Sequence, residues 1–328
     1  MERTIGIVVI GRNEGERLQR CLQNALNETN RIVYVDSGST DQSVAFAKAL
    51  KIDVVELDMS LPFSAARARN EGAVALSRKY KNLEFIQFVD GDCQFASGWI
   101  NTAFSFLHDN AEYAIAAGRR RELHPDKTVY NLLCDIEWDT AIGEADACGG
   151  DFLIRKTAFD SVDGFNPAVV AGEEPDLCYR LRKNNWKVYR IEHDMTFHDA
   201  NMTKFSQWCK RSIRAGHAYL QGYVLHSADK TGYNRKAVLK DWIWGLVFPA
   251  TVVLLGLILH PLFFFLFIIT VVRLLRIAAK INSKLNKAWH SLIYGAFIIL
   301  SNFTQLYGQC IFILRSLAKK SPQIIEHK

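Results

Sequence analysis

The sequence predicts an α/β fold: a Rossmann-like, mostly parallel sheet flanked by helices, followed by a C-terminal α-helical membrane region. Three observations predict it. Short β-branched runs alternate with amphipathic helical stretches, carboxylates and arginines follow directly after those runs, and residues 241–328 carry two long apolar segments. The 328 residues are 49% hydrophobic and 23% charged, a globular composition on average, with a net charge of +6. Much of that excess lies beside the apolar segments. It points to a membrane surface or a phosphate-bearing ligand, with no nucleic acid among the expected partners.

The elements follow in order. "TIGIVVIG" (4–11) is a continuous β-branched run, the pattern of a strand buried on both faces. Residues 14–28 place Leu18, Cys21, Leu22, Ala25 and Leu26 on one side of a helix. "RIVYVD" (31–36) is a second strand, and "SGSTDQSVAFAKAL" turns into a second helix behind Ser39 or Thr40 as N-cap. "VVEL" (54–57), a helix over 64–80 and "LEFIQFVD" complete a β-α-β-α rhythm whose short connections require a parallel, doubly covered sheet. No G-x-G-x-x-G follows the first strand, which removes the usual dinucleotide fingerprint. Beyond Asp92 the expected elements are helices at 97–109, 129–138 and 174–184, strands at 113–118 and 147–154, and the short strand "KVYRI".

Seven cysteines are scattered without a C-x-x-C pair, which fits reduced thiols and neither a disulfide framework nor a zinc site. The N-terminal stretch has charges on both sides of a short apolar run, so no signal peptide is expected and the soluble part is expected in the cytoplasm.

In an open α/β sheet, ligands bind outside the carboxyl ends of the strands. Three groups fall there: Arg12-Asn13-Glu14, Asp36, and the pair Asp90 and Asp92 of "FVDGD". Two carboxylates flanking Gly91 repel one another, so a metal, a pair of arginines or water must compensate them. Mg²⁺ takes one or two protein carboxylates together with phosphate oxygens. Gly149-Gly150-Asp151 reads either as a bulge or as backbone facing a substrate, and Arg119-Arg120-Arg121 reads as a solvated loop.

"VVIGRNE", "VDSGSTD", "AARARNEG", "FVDGD", "CGGDFLIR" and "AGEEPDLCYRLR", in this order over residues 4–200, resemble the family 2 glycosyltransferases, nucleotide-sugar enzymes of the GT-A fold. The resemblance implies that Asp36 binds the nucleotide base, with Arg12 and Glu14 lining the same pocket. It implies that Arg69 and Asn70 lie near the nucleotide with Arg67 close by, and that Gly149, Gly150 and Asp151 belong to the donor site. Asp90 would approach the ribose and the metal, Asp92 would ligate Mn²⁺ or Mg²⁺ on the diphosphate, and His198 would complete the metal shell. Glu174 aligns with the usual general base, with Glu173 and Asp176 as neighbours that the sequence does not separate from it. An acidic first turn complementing the helix dipole is the structural alternative for these three.

The C-terminal part reads as membrane-bound. Residues 242–272 form either one strongly tilted span or a hairpin breaking near His260-Pro261, and residues 291–314 have the length of one span. Asn302, Gln305 and Gln309 fall at helical spacing in the latter and should face protein. Arg273, Arg276, Lys280, Lys284 and Lys287 share one face, opposite Leu274, Ala278, Ile281 and Leu285, which predicts a basic amphipathic helix over 273–287 on an anionic leaflet. If that helix and the N-terminal domain are both cytoplasmic, 242–272 must enter and leave on the same side. Residues 204–223 read as an interfacial helix. Expected domains are therefore 1–203, an interfacial helix and linker over 204–240, and a membrane region over 241–328. The expected activity is metal-dependent, inverting transfer of one sugar from a nucleotide diphosphate donor, with a UDP-sugar favoured. The expected acceptor is a lipid-linked saccharide at the cytoplasmic membrane; the alternatives are a nucleotidyltransferase and a non-catalytic scaffold.

Overall fold

The computed structural model describes residues 4–229 and 231–318. The chain divides into two compact units, Met1–Thr203 and Lys204–Lys328.

In the first unit, β1 (Ile5–Gly11), β2 (Ile32–Asp36), β3 (Asp53–Glu56) and β4 (Phe85–Asp90) are parallel neighbours in the order β3-β2-β1-β4. Helices α1 (Glu16–Leu26), α2 (Ser43–Ala49) and α3 (Ala65–Lys79) connect them. Side chains of β1 alternate between two cores: Val8 and Ile10 pack with Leu76 and Phe88 on one face, and Ile5, Ile7 and Val9 with Leu18 and Leu22 on the other. This double burial is why the run reads as continuously apolar. Gly72 lets α3 press onto β1, since a Cβ there would fall 2.4 Å from Val8 Cγ1.

The second half of the sheet is mixed. β4 is followed by β5 (Cys93–Phe95) and α4 (Trp99–Asp109), then β6 (Tyr113–Glu122), α5 (Val129–Trp138), β7 (Gly143–Glu144), β8 (Phe152–Arg155), α6 (Lys156–Asp160), α7 (Glu173–Lys183) and β9 (Lys187–His198). β8 runs antiparallel to β4 and β6, β6 lies parallel to β9, and β5 pairs antiparallel with β9 so that Cys93 opposes His198. β6 and β9 extend well beyond the strands expected at 113–118 and at "KVYRI". Their charged ends find partners on neighbouring elements, so polarity there does not mark a loop. β8 begins at Phe152, later than expected, behind a bend at Gly150.

The second unit opens with α8 (Phe205–Leu225) and continues with three helices, Arg235–Ile258, Pro261–Leu285 and Ala288–Leu317, each long and apolar enough to cross a membrane. The segment 242–272 is divided at His260-Pro261. The basic stretch 273–287 is not a helix of its own. No breaker interrupts Ile268–Leu285, so it forms the end of the second of these helices, stopping at Asn286 in the left-handed region (φ 50). Its apolar face meets the third helix, with Gly295 against the Leu274 carbonyl and Ser291 Oγ donating to Asn282 Oδ1 at 3.2 Å. Asn302, Gln305 and Gln309 are buried, facing protein as their spacing predicts.

Candidate active site

The ends of β1, β2 and β4 bring Gly11, Asp36 and Asp90 to one edge of the sheet. The two loops beyond β1 and β2 are laced together. Asn13, at φ 54, accepts from Thr40 N at 2.7 Å, while its own N–H donates to Ser39 Oγ at 2.9 Å. Asp36 is buried, accepting from Tyr34 Oη at 2.7 Å, Gly38 N at 2.9 Å and Ser39 N at 2.7 Å. It thereby shapes the loop whatever else it binds. Arg12 lies over the Phe63 ring, 4.7 Å from the centroid, and Glu14 pairs with Arg17 at 2.7 Å.

The two carboxylates of "FVDGD" are compensated differently. Asp90 sits between two guanidiniums: Arg69 Nη2 donates to Oδ1 at 2.9 Å and Arg120 Nη2 to Oδ2 at 3.0 Å. Burial alone would raise its pKa, but the two arginines outweigh it and hold the carboxyl below its ordinary value. Arg69 is itself 2% exposed and also reaches Glu173 Oε1 and Glu174 Oε1, both at 3.0 Å. Arg120 also binds Asp151, whose carboxylate is fully buried and accepts in addition from Thr196 Oγ1 at 2.6 Å and Asp90 N at 3.2 Å. Asp151 therefore fixes Arg120 and the end of β4 from below. Gly150 lies where these groups converge, since a Cβ there would meet Arg69 Nη2 at 2.6 Å, Asp90 Oδ2 at 2.9 Å and Glu174 Oε1 at 3.2 Å. Gly149 has open space, with nothing within 4 Å.

Asp92 is buried in a separate corner, with His198 Nε2 3.3 Å from its Oδ1. Asp92, Cys93 and His198 each offer a ligand atom within 4.8 Å of the others, and Asp90 is not part of this group. Burial pushes the imidazole down, while Asp92, with Glu122 beyond it, pushes it up, and the net shift is upward. Gly91 serves packing: a Cβ there would lie 3.1 Å from both the Ile10 carbonyl and Leu18 Cδ1.

The first turn of α7 carries three acids with three environments. Glu173 is buried, with one oxygen on Arg69. Asp176 is buried and accepts from Arg180 Nε at 2.8 Å, an i,i+4 ion pair along the helix. Glu174 keeps 15% of its side chain exposed, and burial together with the charge of Glu173 pushes its pKa from 4.5 to about 7 despite Arg69. Of the three, Glu174 is the acid open to solvent beside Gly150.

Two expected donor residues stand elsewhere. Arg67 donates to the carbonyls of Asp58 at 2.9 Å and Leu61 at 3.3 Å, on the far side of α3 from Arg69. Residues two apart on a helix point about 200° from one another, so they cannot serve one ligand together. Asn70 clamps the backbone of Phe165 through both its amide nitrogen (2.8 Å) and oxygen (2.9 Å). Conversely, Arg120 belongs to the site although its triplet reads as a loop. Arg119 pairs with Asp135 and Asp139 and Arg121 with Asp194, leaving Arg120 alone turned toward Asp90. Strand alternation across the triplet is the signal that would have found it.

Residues 6–162 match the family model Glycosyl transferase family 2. Over that stretch the chain is similar to the family 2 glycosyl transferases. Two curated relatives, the pre-mycofactocin glycosyltransferases of Mycobacterium tuberculosis strains CDC 1551 / Oshkosh and ATCC 25618 / H37Rv, are each 23% identical over 243 residues. The match takes in 70% of this chain and 49% of theirs, so the chain spans about half the length of these relatives. Among solved structures, the mannosyltransferase PcManGT from Pyrobaculum calidifontis, in complex with GDP-Man and Mn²⁺, superposes with a TM-score of 0.58 at 14% identity. That likeness covers 90% of this chain and 87% of the mannosyltransferase, and shows a shared GT-A fold.

The Asp92 corner suits a hard or borderline divalent cation. Asp92 offers a carboxylate oxygen and His198 an imidazole, a set compatible with Mn²⁺ or Mg²⁺ once substrate oxygens fill the remaining positions. His198 Nδ1 is buried without a hydrogen-bond partner among the described residues, 4.0 Å from Glu122 Oε2, a carboxylate placed to orient the ring. Cys93 fits poorly as a third ligand: burial and Asp151 push its thiol well up, and soft sulfur does not suit these ions.

Proposed function

We propose that the chain is a metal-dependent, inverting glycosyltransferase that moves one sugar from a nucleoside diphosphate donor to a membrane-presented hydroxyl. The observation that carries this reading is Glu174, a carboxyl pushed to about 7 and open beside Gly150, Arg69 and Asp90. A base with a pKa near the working pH is matched to its task. Glu174 takes the proton of the acceptor hydroxyl as that oxygen attacks the anomeric carbon. The bond from that carbon to the diphosphate oxygen breaks on the opposite face, which inverts the configuration. Asp92 and His198 would hold Mn²⁺ or Mg²⁺, which when bound neutralises charge on the departing diphosphate. Asp36, Arg12 and Glu14 line the base pocket, and Asp90, fixed by Arg69 and Arg120, receives ribose hydroxyls on its remaining lone pairs.

A lipid-linked saccharide is the proposed acceptor. The three helices long and apolar enough to cross a membrane support it, as do the exposed Arg276, Lys280, Lys284 and Lys287, which suit the anionic cytoplasmic leaflet. A UDP-sugar is the favoured donor, and a GDP-sugar belongs in the test because the Pyrobaculum mannosyltransferase binds one.

The test incubates the full chain, in lipid nanodiscs, with a panel of nucleotide sugars, Mn²⁺ and polyprenyl-linked acceptors. Metal-dependent release of nucleoside diphosphate, lost in Asp92→Asn, is the expected result. Release of pyrophosphate would instead identify a nucleotidyltransferase, and neither turnover nor donor binding would leave a scaffold.

A further inference from the structure

We propose that residues 242–272 form a hairpin that dips into the acyl chains of one leaflet and returns to the side it entered, without crossing. The proposal goes beyond the activity and rests on the membrane attachment inferred above.

No Asp, Glu, Lys or Arg occurs between Asp241 and Arg273. The two ends of this apolar stretch meet in space. The Arg273 guanidinium lies over the Trp244 ring, 4.3 Å from its centroid. Both ends are also tied to the third helix: Gln309 Nε2 donates to Asp241 Oδ2 at 2.8 Å, and Arg273 Nη2 to Asn302 Oδ1 at 3.3 Å. The chain therefore goes out and comes back to one charged level, where Lys240 also donates to Gln305 Oε1 at 3.1 Å.

The arms between the charges are short. As whole helices they have 24 and 25 residues, enough to cross. Measured from Asp241, the outward arm to Ile258 rises about 25 Å at about 1.5 Å per residue. The returning arm begins as a 3₁₀ helix, Pro261–Phe267, and reaches Arg273 after about 22 Å. Both fall short of the ~30 Å hydrocarbon layer.

The turn is built for hydrocarbon. Leu259 N and His260 N donate to the Leu255 carbonyl at 3.0 and 3.1 Å, Pro261 has no N–H, and Phe263 N donates to the His260 carbonyl at 3.0 Å. The remaining donor, Leu262 N, is received by His260 Nδ1 at 3.2 Å. Every N–H from 259 to 263 is thus satisfied within the turn, a need that arises where water is absent. The side chains agree: Ile258 is 74% exposed, Leu259 64%, Leu262 62% and Phe265 74%. A turn emerging on the far side would set this apolar surface in water.

The test places single cysteines at the tip (Leu259→Cys, and Ile258→Cys in case the first fails to accumulate) and at two exposed flanking positions (Lys236→Cys and Ser283→Cys). Full-length variants, with the wild type as background for native cysteines, are treated with a membrane-impermeant maleimide in sealed right-side-out and inverted vesicles. The expected result is that both flanking cysteines react from the same single side and the tip cysteines from neither until detergent is added. Reaction of a tip cysteine in sealed vesicles from either side, or reaction of the two flanking cysteines from opposite sides, overturns the hairpin. Recovery of the wild type in the soluble fraction overturns the membrane attachment as well.

Discussion

Replacing Glu174 with glutamine separates catalysis from stability in one experiment. The carboxyl is pushed from 4.5 to about 7 by burial and by Glu173. Its protonated form is therefore favoured in the folded state. Below pH about 4.5 the group is protonated both folded and unfolded and costs nothing. Above pH about 7 it is ionised in both states, and the folded protein bears the full penalty, on the order of 3 kcal/mol at about 1.36 kcal/mol per pKa unit. Glu174→Gln should accordingly raise unfolding stability at pH 8 by up to that amount and leave it unchanged at pH 4.5. The same substitution removes the base, so kcat should fall by about 10²- to 10⁴-fold with donor KM little changed. In the wild type, kcat should fall as pH drops through about 7, and the variant should lose that limb. The assays are thermal unfolding of the full chain in nanodiscs at the two pH values and nucleoside diphosphate release across pH. An unchanged acid limb in the variant, or equal stability gains at both pH values, would refute the assignment.

Three further outcomes follow from the same geometry. Arg120→Met leaves the fully buried Asp151 carboxylate without its ion-pair partner and should destabilise the protein by about 3–5 kcal/mol in denaturant titrations, with Arg120→Lys recovering only part of the loss. Gly150→Ala drives a methyl into Arg69, Asp90 and Glu174 and should abolish donor turnover, whereas Gly149→Ala, with open space around it, should leave turnover within about twofold. His198→Ala should raise the Mn²⁺ concentration needed for half-maximal activity by about 10- to 100-fold while circular dichroism stays unchanged, and an unaltered Mn²⁺ requirement would remove His198 from the cation site.

The parallel half of the sheet is legible because β1, β2 and β4 are buried on both faces and advertise that in runs of apolar residues. Asp92 is marked by its place after β4, whereas its neighbour His198 is legible only through a likeness to other chains. What joins them is β5, three residues long, and no periodicity can be read from Cys93–Phe95. Arg120 stays hidden for a different reason. Its strand ends in three consecutive arginines, and a local reading assigns such charge to solvent. The carboxylates that hold them, Asp90, Asp151, Asp135, Asp139 and Asp194, come from four other places in the chain. The reverse holds for Arg67, where sequence proximity to Arg69 suggested a shared role that helical geometry forbids.

In the second unit, α8 and the third apolar helix touch backbone to backbone: a Cβ at Gly216 would lie 1.9 Å from the Gln305 carbonyl oxygen, and one at Gly308 2.0 Å from that of Ile213. Contact at that range leaves no gap for an acyl chain or a detergent tail, so the joint owes nothing to the medium around it. Extraction into micelles should leave it standing. The hairpin over 242–272 is the opposite case, its turn shaped for a solvent that extraction takes away, and purified preparations should differ most from the membrane-bound protein there.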